Sequence, residues 1–473
     1  MPWSFLSLAC LGYLFLAATC SAQTPPTTAH AAASLEQARE LARAHRYSEA
    51  AAAMRGVALP RDPGPRIAFF RLRASIESGL GHSTAAATDM EAAAKLAPQN
   101  AELQVAAALA RLESQVEAKV DPSATLKLLR GVSLPAALQL DVRLRSAEIL
   151  SRANLFDQAA DDFAEASQLA PYRADILFNL ALARYRLGVW DAARESAERS
   201  KALEDSGSTE SLLGDIEEKQ GDALAAVRSY QAAVKLEPGV EQHRLALATE
   251  LLKHQTFDAA IVVLEQAADL FPQSVRIRIL LGISYFLVDR SSDSIRTLLD
   301  AVRLDTNDAL ALRYLGEITL QDSASPDPVA VTQICTFADT HPRDKSGNAL
   351  CGGVLLRVAE ESGNDSRKVE ILRRLRNAVQ VAPDEALARC QLGKTLEWLQ
   401  QWPQARTQLE KCVLLSPDSP EGHYRLARVY RRLGLTDLST EQTNLQQRAA
   451  KKQSEESTHR TNTVSRFLVL LDH

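Results

Sequence analysis

Aromatic side chains are scarce in this sequence, 5% of 473 residues, and runs of β-branched residues are few. Strands draw on those residue types, so sheets are not expected as a major component. Charge of one sign is also missing: 54 Lys and Arg stand against 59 Asp and Glu, a formal net charge of -5. With both signs mixed along the chain, no global field favours nucleic acid or an anionic membrane. Histidine is limited to nine residues. His45, His243, His254 and His341 are scattered without acidic partners at ligand spacing, so no metal site is expected. Catalytic signatures are absent as well: there is no His-Glu-x-x-His, Cys-x-x-Cys, Gly-x-Ser-x-Gly or phosphate-binding glycine loop. Gly79-Leu80-Gly81 is glycine-rich, but it lies between two helical stretches without the preceding strand that a dinucleotide loop needs. The expectation is a protein with no cofactor and no catalytic site of its own.

What is present begins with an apolar stretch. Trp3 to Ala18 is nearly unbroken, and Cys20-Ser21-Ala22 offers small residues before a cut at Gln23. Residues 1–22 therefore read as a secretory signal with a weak basic start, too short to span a bilayer. Lipid attachment at Cys20 fits less well, because Ala17-Ala18-Thr19 lacks the usual leucine and the small residue next to the cysteine. Export to the periplasm or the outside is the expectation, with membrane association only if the signal is retained or lipidated. A Pro- and Thr-rich linker fills 23–33, and helix is expected from about Ser34. Beyond Lys451 the chain is too polar to fold alone up to Asn462. The apolar Phe467-Leu468-Val469-Leu470-Leu471 then suits a cap on the array's end.

Between these ends the sequence repeats. Leu213-Gly214, Leu247-Ala248, Leu281-Gly282 and Leu315-Gly316 recur every 34 residues, as do Leu392-Gly393 and Leu426-Ala427. Prolines keep the same interval, from Pro238 to Pro272 and from Pro383 to Pro417. One unit explains the period. Leu212, Leu213 and Ile216 mark one face of a first helix, Gly221-Asp222 makes a turn, and Ala226, Tyr230, Ala233 and Val234 face back from a second. Gly214, Ala226 and Ala233 are small where the helices must approach, and Pro238 stops the second helix. Neither helix buries enough alone; stacking completes the burial.

The pattern resembles the tetratricopeptide repeat. Leu177, Leu180-Ala181, Leu187-Gly188, Trp190 and Ala193 fall at its places, as do Leu281-Gly282, Tyr285, Leu298 and Ala301, while Asp205, Ser294 and Thr306 depart from it. The resemblance covers nearly all of Leu35 to Lys451 in about nine clear or decayed units. It implies an all-α, right-handed superhelical solenoid of antiparallel helix pairs, with degenerate pairs over 34–136 and a better array over 137–451. The stretch 322–383 is irregular, carrying a lengthened turn at Asp322 to Pro328 and extra length at Ser362 to Ser366.

By the same resemblance, the first helix of each pair lines an inner wall that suits a protein or peptide partner. It places Phe178, Leu182, Tyr185 and Arg186 there, then Leu245 and Thr249, then Ile279, Ile283 and Phe286, then Arg313 and Glu317. Ordinary packing between neighbouring repeats is the other reading of these positions. Near the end, Arg425, Arg428, Arg431 and Arg432 with Tyr424 and Tyr430 suit either an anion grip or a solvated face. A clamp for chaperone tails is not supported, since Asn179 fits one place but Glu148, Asp215 and Glu218 put acids in the neighbouring ones. The expected role is an exported adaptor or scaffold; the alternatives are an accessory subunit that positions a catalytic partner in a cell-envelope complex, and an enzyme whose site is not visible in the sequence. Four cysteines remain after the signal, and the bridges Cys335–Cys351 and Cys390–Cys412 are topologically open. Small apolar filler in helix packing is the reading placed ahead of them.

Overall fold

A computed structural model describes residues 28–455, which form two compact units, one ending at Leu187 and one beginning at Gly188. The signal segment, most of the linker and the apolar C-terminal stretch lie outside the described residues. Among the described residues there are 24 helices and no strand, and each unit is a solenoid of helices paired through short turns.

The first unit holds α1 (Thr28–Arg43), α2 (Tyr47–Met54), α3 (Pro63–Gly79), α4 (Ser83–Leu96) and α5 (Ala101–Glu117). It continues with α6 (Ser123–Gly131), α7 (Ala136–Arg152), α8 (Phe156–Leu169) and α9 (Ala174–Arg186). Helix α1 begins before the expected Ser34. The second unit opens with α10 (Trp190–Leu203), α11 (Gly207–Gln220), α12 (Ala223–Leu236), α13 (Glu241–Lys253), α14 (Phe257–Leu270), α15 (Val275–Leu287) and α16 (Ser291–Leu304). Next come α17 (Ala309–Gln321), α18 (Pro328–Thr340), α19 (Gly347–Ser362) and α20 (Lys368–Val381). It closes with α21 (Ala386–Trp398), α22 (Trp402–Leu415), α23 (Pro420–Arg432) and α24 (Thr436–Glu455).

Local chemistry sets these limits. The Ser206 hydroxyl accepts from the Thr209 amide to start α11, and Gly221 ends it in the left-handed region at φ +81°. The Asp222 carboxylate then accepts from the Ala225 amide and opens α12. The same turn conformation falls on Gln255 and Asp289, each 34 residues further, although neither is glycine. Repeat geometry thus imposes a backbone that costs roughly 1–2 kcal/mol for an ordinary side chain.

Close approach explains the Leu-Gly pairs. A Cβ on Gly214 would lie 2.6 Å from the Tyr230 ring, and one on Gly282 would lie 2.7 Å from Leu298. In each case the first helix presses its bare backbone on its partner helix, α11 on α12 and α15 on α16. Gly316 breaks the rule: its nearest neighbour is Leu350 of α19, not a residue of α18. The long connection from Asp322 to Asp327, closed by the Asp327 cap on α18, releases α18 from the usual position, and α19 takes its place against α17.

All four cysteines among the described residues are paired, Cys335 with Cys351 and Cys390 with Cys412, each with Cα atoms 4.9 Å apart. This replaces the filler reading. One bridge ties α18 to α19 at the irregular step, and the other ties the two helices of the α21–α22 pair.

Candidate functional site

The first helices of the second unit carry a pocket of about 160 Å³ where α11, α13 and α15 stand side by side. Asp215 and Glu218 come from α11, Thr249, Glu250 and Lys253 from α13, and Arg276 from α15. About one turn of helix separates Asp215 from Glu218 and Thr249 and Glu250 from Lys253, so residues a repeat apart in sequence converge. Tyr230 donates to Asp215 at 2.7 Å, and Lys253 donates to Glu218 at 2.6 Å. His254, read from sequence as lacking an acidic neighbour, lies 3.0 Å from a Glu250 oxygen. The other Glu250 oxygen is buried and meets no hydrogen-bond donor.

Electrostatics at this pocket are unfavourable by construction. Burial pushes the Asp215 carboxyl above its ordinary value, with the Tyr230 bond opposing it. Burial and then the Glu218 charge push Glu250 up, against Lys253 and His254. Burial and the adjacent Asp215 raise the Tyr230 phenol far above its usual value, so it stays a donor.

A second groove, of about 480 Å³, lies in the first unit on α3, α5 and α7. Ala106, Leu109, Ala110 and Leu138 contribute its apolar surface. Its charged residues are largely satisfied within the unit, Arg152 on Glu113 at 2.9 Å and Arg145 on Asp141 at 3.0 Å.

The positions singled out in the sequence divide into three groups. Phe178, Leu182 and Tyr185 are half-buried on α9 and Arg186 is exposed; Thr249, Phe286 and Arg313 are also half-buried. Ile279 and Ile283, each 1% exposed, are core residues and not a contact wall, whereas Leu245, also mostly buried, lines the pocket beside Thr249. Helix α15 is apolar almost all round, and its flanking first helices cover the face these isoleucines occupy. The arginines near the end are mostly engaged inside the chain. Glu397, buried on α21, takes Arg425 at 3.0 Å and Arg428 at 3.2 Å. Arg425 also reaches Glu421 at 2.8 Å. Burial would raise the Glu421 carboxyl, but Arg425 and Lys394 outweigh it and hold it below its ordinary range. Arg428 lies over the exposed Tyr424 ring, and Arg432 over Trp402. Arg431 is exposed, so the four arginines do not form one grip.

Sequence reasoning noted the acids at 215 and 218 but missed Glu250, Lys253 and Arg276. Their signal was positional: Asp215 and Thr249 are 34 apart, so acids and bases on that register were bound to meet. No group of His, Cys, Asp and Glu among the described residues could hold a metal ion, and no described helix is long and apolar enough to cross a membrane.

A family model for tetratricopeptide repeats matches residues 211–275 and 245–309, the stretch that holds the pocket. The chain is a tetratricopeptide-repeat protein. Many solved structures match it. Yeast Tom70 is 15% identical over 90% of this chain and 99% of its own, with a TM-score of 0.35. The C-terminal part of a repeat protein from Cytophaga hutchinsonii is 17% identical over 52% and 98%, with a TM-score of 0.45. YrrB, described as having an unusual peptide-binding site, is 18% identical over 37% and 90%, with a TM-score of 0.32. No curated protein gives a significant match. An all-α repeat solenoid of this type is a scaffold for protein interaction.

Proposed function

We propose that this tetratricopeptide-repeat chain is an exported adaptor, without catalysis of its own, that holds a protein or peptide along its first-helix faces. The pocket on α11, α13 and α15 carries the reading, because it leaves a buried carboxylate oxygen unpaired where a solenoid would otherwise be packed or solvated. Export is supported by the apolar residues 3–18 before a small-residue cut and by two disulfides, which persist in oxidising compartments.

The test is affinity capture from the native envelope fraction with the mature chain, run beside a variant carrying Thr249→Trp and Ala110→Trp, which fills both grooves. Circular dichroism checks that both proteins are folded, and N-terminal sequencing of the native protein checks for a start at Gln23. A partner held by the wild type and lost by the filled variant supports the reading, and an enzyme in that role makes the chain its accessory subunit. Equal capture by both moves the site off the first-helix faces, and an uncut N-terminus overturns export.

A further inference from the structure

The grooves differ in one respect that a general peptide-binding role does not explain. In the pocket of the second unit, three carboxylates come from two helices, Asp215 and Glu218 from α11 and Glu250 from α13. Glu250 is 1% exposed, and only one of its oxygens is used, on His254. A buried carboxylate oxygen without a donor is costly, since it has given up water and received nothing in return. Across the space, Asp215 keeps a second oxygen beyond the one that accepts from Tyr230. Glu218 is held by Lys253, and Arg276 stands at the exposed edge.

We infer that this pocket is a specificity site for the cationic end of a partner's lysine or arginine side chain, with Glu250 and Asp215 as acceptors. The inference rests on the adaptor reading and adds which residue type the partner must carry. Three carboxylates against Lys253 and Arg276 leave the lining with a negative balance that favours a cation over an anion. A metal ion is disfavoured because the acids do not converge as a ligand set. Separated acceptors on neighbouring helices suit a guanidinium, whose N–H groups fan out in a plane, and accommodate an ammonium less fully. Lys253 acts as the internal competitor: it neutralises Glu218 and so limits how strongly the empty site attracts a cation. The position of the pocket on the first-helix face lets an extended chain pass while one side chain turns in.

The experiment selects peptides from a random display library on the immobilised full-length protein. The recovered sequences are then synthesised with arginine, lysine or norleucine at the basic position. Norleucine keeps the apolar stem and removes the charge. We expect it to weaken binding to the wild type about tenfold, the usual scale for a charged hydrogen bond at a desolvated site. For Glu250→Gln the same exchange costs less than twofold. For Lys253→Gln, which frees Glu218, the basic peptide binds more tightly than to the wild type. That opposite sign is what a merely structural role for these residues would not produce. Peptides recovered without a basic position, or a norleucine penalty unchanged in Glu250→Gln, overturn the inference and leave the adaptor reading standing. Recovery of no peptide at all brings both down.

Discussion

The two units solve the same packing problem with different materials. In the second, one hydrophobic core runs unbroken from α12 to α23, and glycines at 214, 282 and 393 let large side chains of the partner helix reach the first helix's backbone. In the first, the core is split into two clusters, one centred on α1 to α5 and the other on α5 to α9. Its helices α2 and α6 are only 8 and 9 residues long. Where α6, α7 and α8 meet, an ionic cluster sits beside the apolar packing of Leu129, Val142 and Phe163: fully buried Asp162 takes Arg130 at 3.1 Å, Arg143 at 3.6 Å and the Ser146 hydroxyl at 2.5 Å. Burial pushes this carboxyl up, while Ser146 and the arginines pull it back. This repeat is held by apolar packing together with a buried ionic cluster, whose members depend on each other.

That dependence predicts an asymmetry. Asp162→Ala removes the carboxylate that Arg130, Arg143 and Ser146 share and should cost about 3 kcal/mol, the low end for a broken buried ionic contact, because Arg143 keeps Glu165 and Arg130 keeps Asp161. The measurement is urea unfolding followed by hydrogen exchange, with lost protection confined to α6, α7 and α8. A loss below about 1 kcal/mol would mean that water or neighbouring acids replace the carboxylate, and the contrast between the units would fail.

The disulfides sharpen the contrast from the other side, because every described cysteine lies in the second unit. Closing a chain segment of 22 residues contributes about 3 kcal/mol in the chain-entropy account. Cys390→Ser with Cys412→Ser should destabilise the second unit by about 2–3 kcal/mol and leave protection in α3 to α8 unchanged. If reducing agent, which opens both bridges, shifts the wild-type melting curve further than it shifts that of the double variant, the Cys390–Cys412 bridge forms in the protein; equal shifts would remove it.

These particulars show what the sequence made legible. The period, the turns and the closing prolines could be read because each is imposed by local backbone chemistry, as at Ser206, Gly221 and Pro238. The irregular step could be located from the length of 322–328, but its outcome, Gly316 turning to Leu350, depends on where two helices land in space. Burial of Ile279 and Ile283 was hidden for a similar reason. Their positions on α15 match those of the half-buried Arg313 and Thr249 in neighbouring repeats, and only the apolar girdle of the surrounding helices decides that the isoleucines are covered. The pocket was half visible: Asp215 and Glu218 stood out as acids on a first helix, whereas Glu250 needed the neighbouring helix to define what it faces. Disulfide pairing lay beyond the sequence because spacing permits a bridge without requiring it.

The smallest expected effect separates stability from binding at that pocket. Asp215 is raised above its ordinary value by burial, and Glu218 adds to the shift, while Tyr230, Lys219 and Lys253 oppose it. A carboxyl raised on folding binds protons more readily in the folded state, so stability falls as pH rises from the ordinary carboxylate value through the raised one. Above that window the full penalty is present. Asp215→Asn keeps an oxygen to accept from Tyr230 and removes the charge, so it should stabilise the second unit at pH 7 by about 0.5–1 kcal/mol, a usual size for a favourable single change. The gain should shrink as pH falls through the window, because the wild-type carboxyl then becomes neutral as well. Urea midpoints at a series of pH values between 7 and 4 test this. An equal gain at every pH would assign the effect to packing, and a loss at pH 7 would mean that the charge is already compensated.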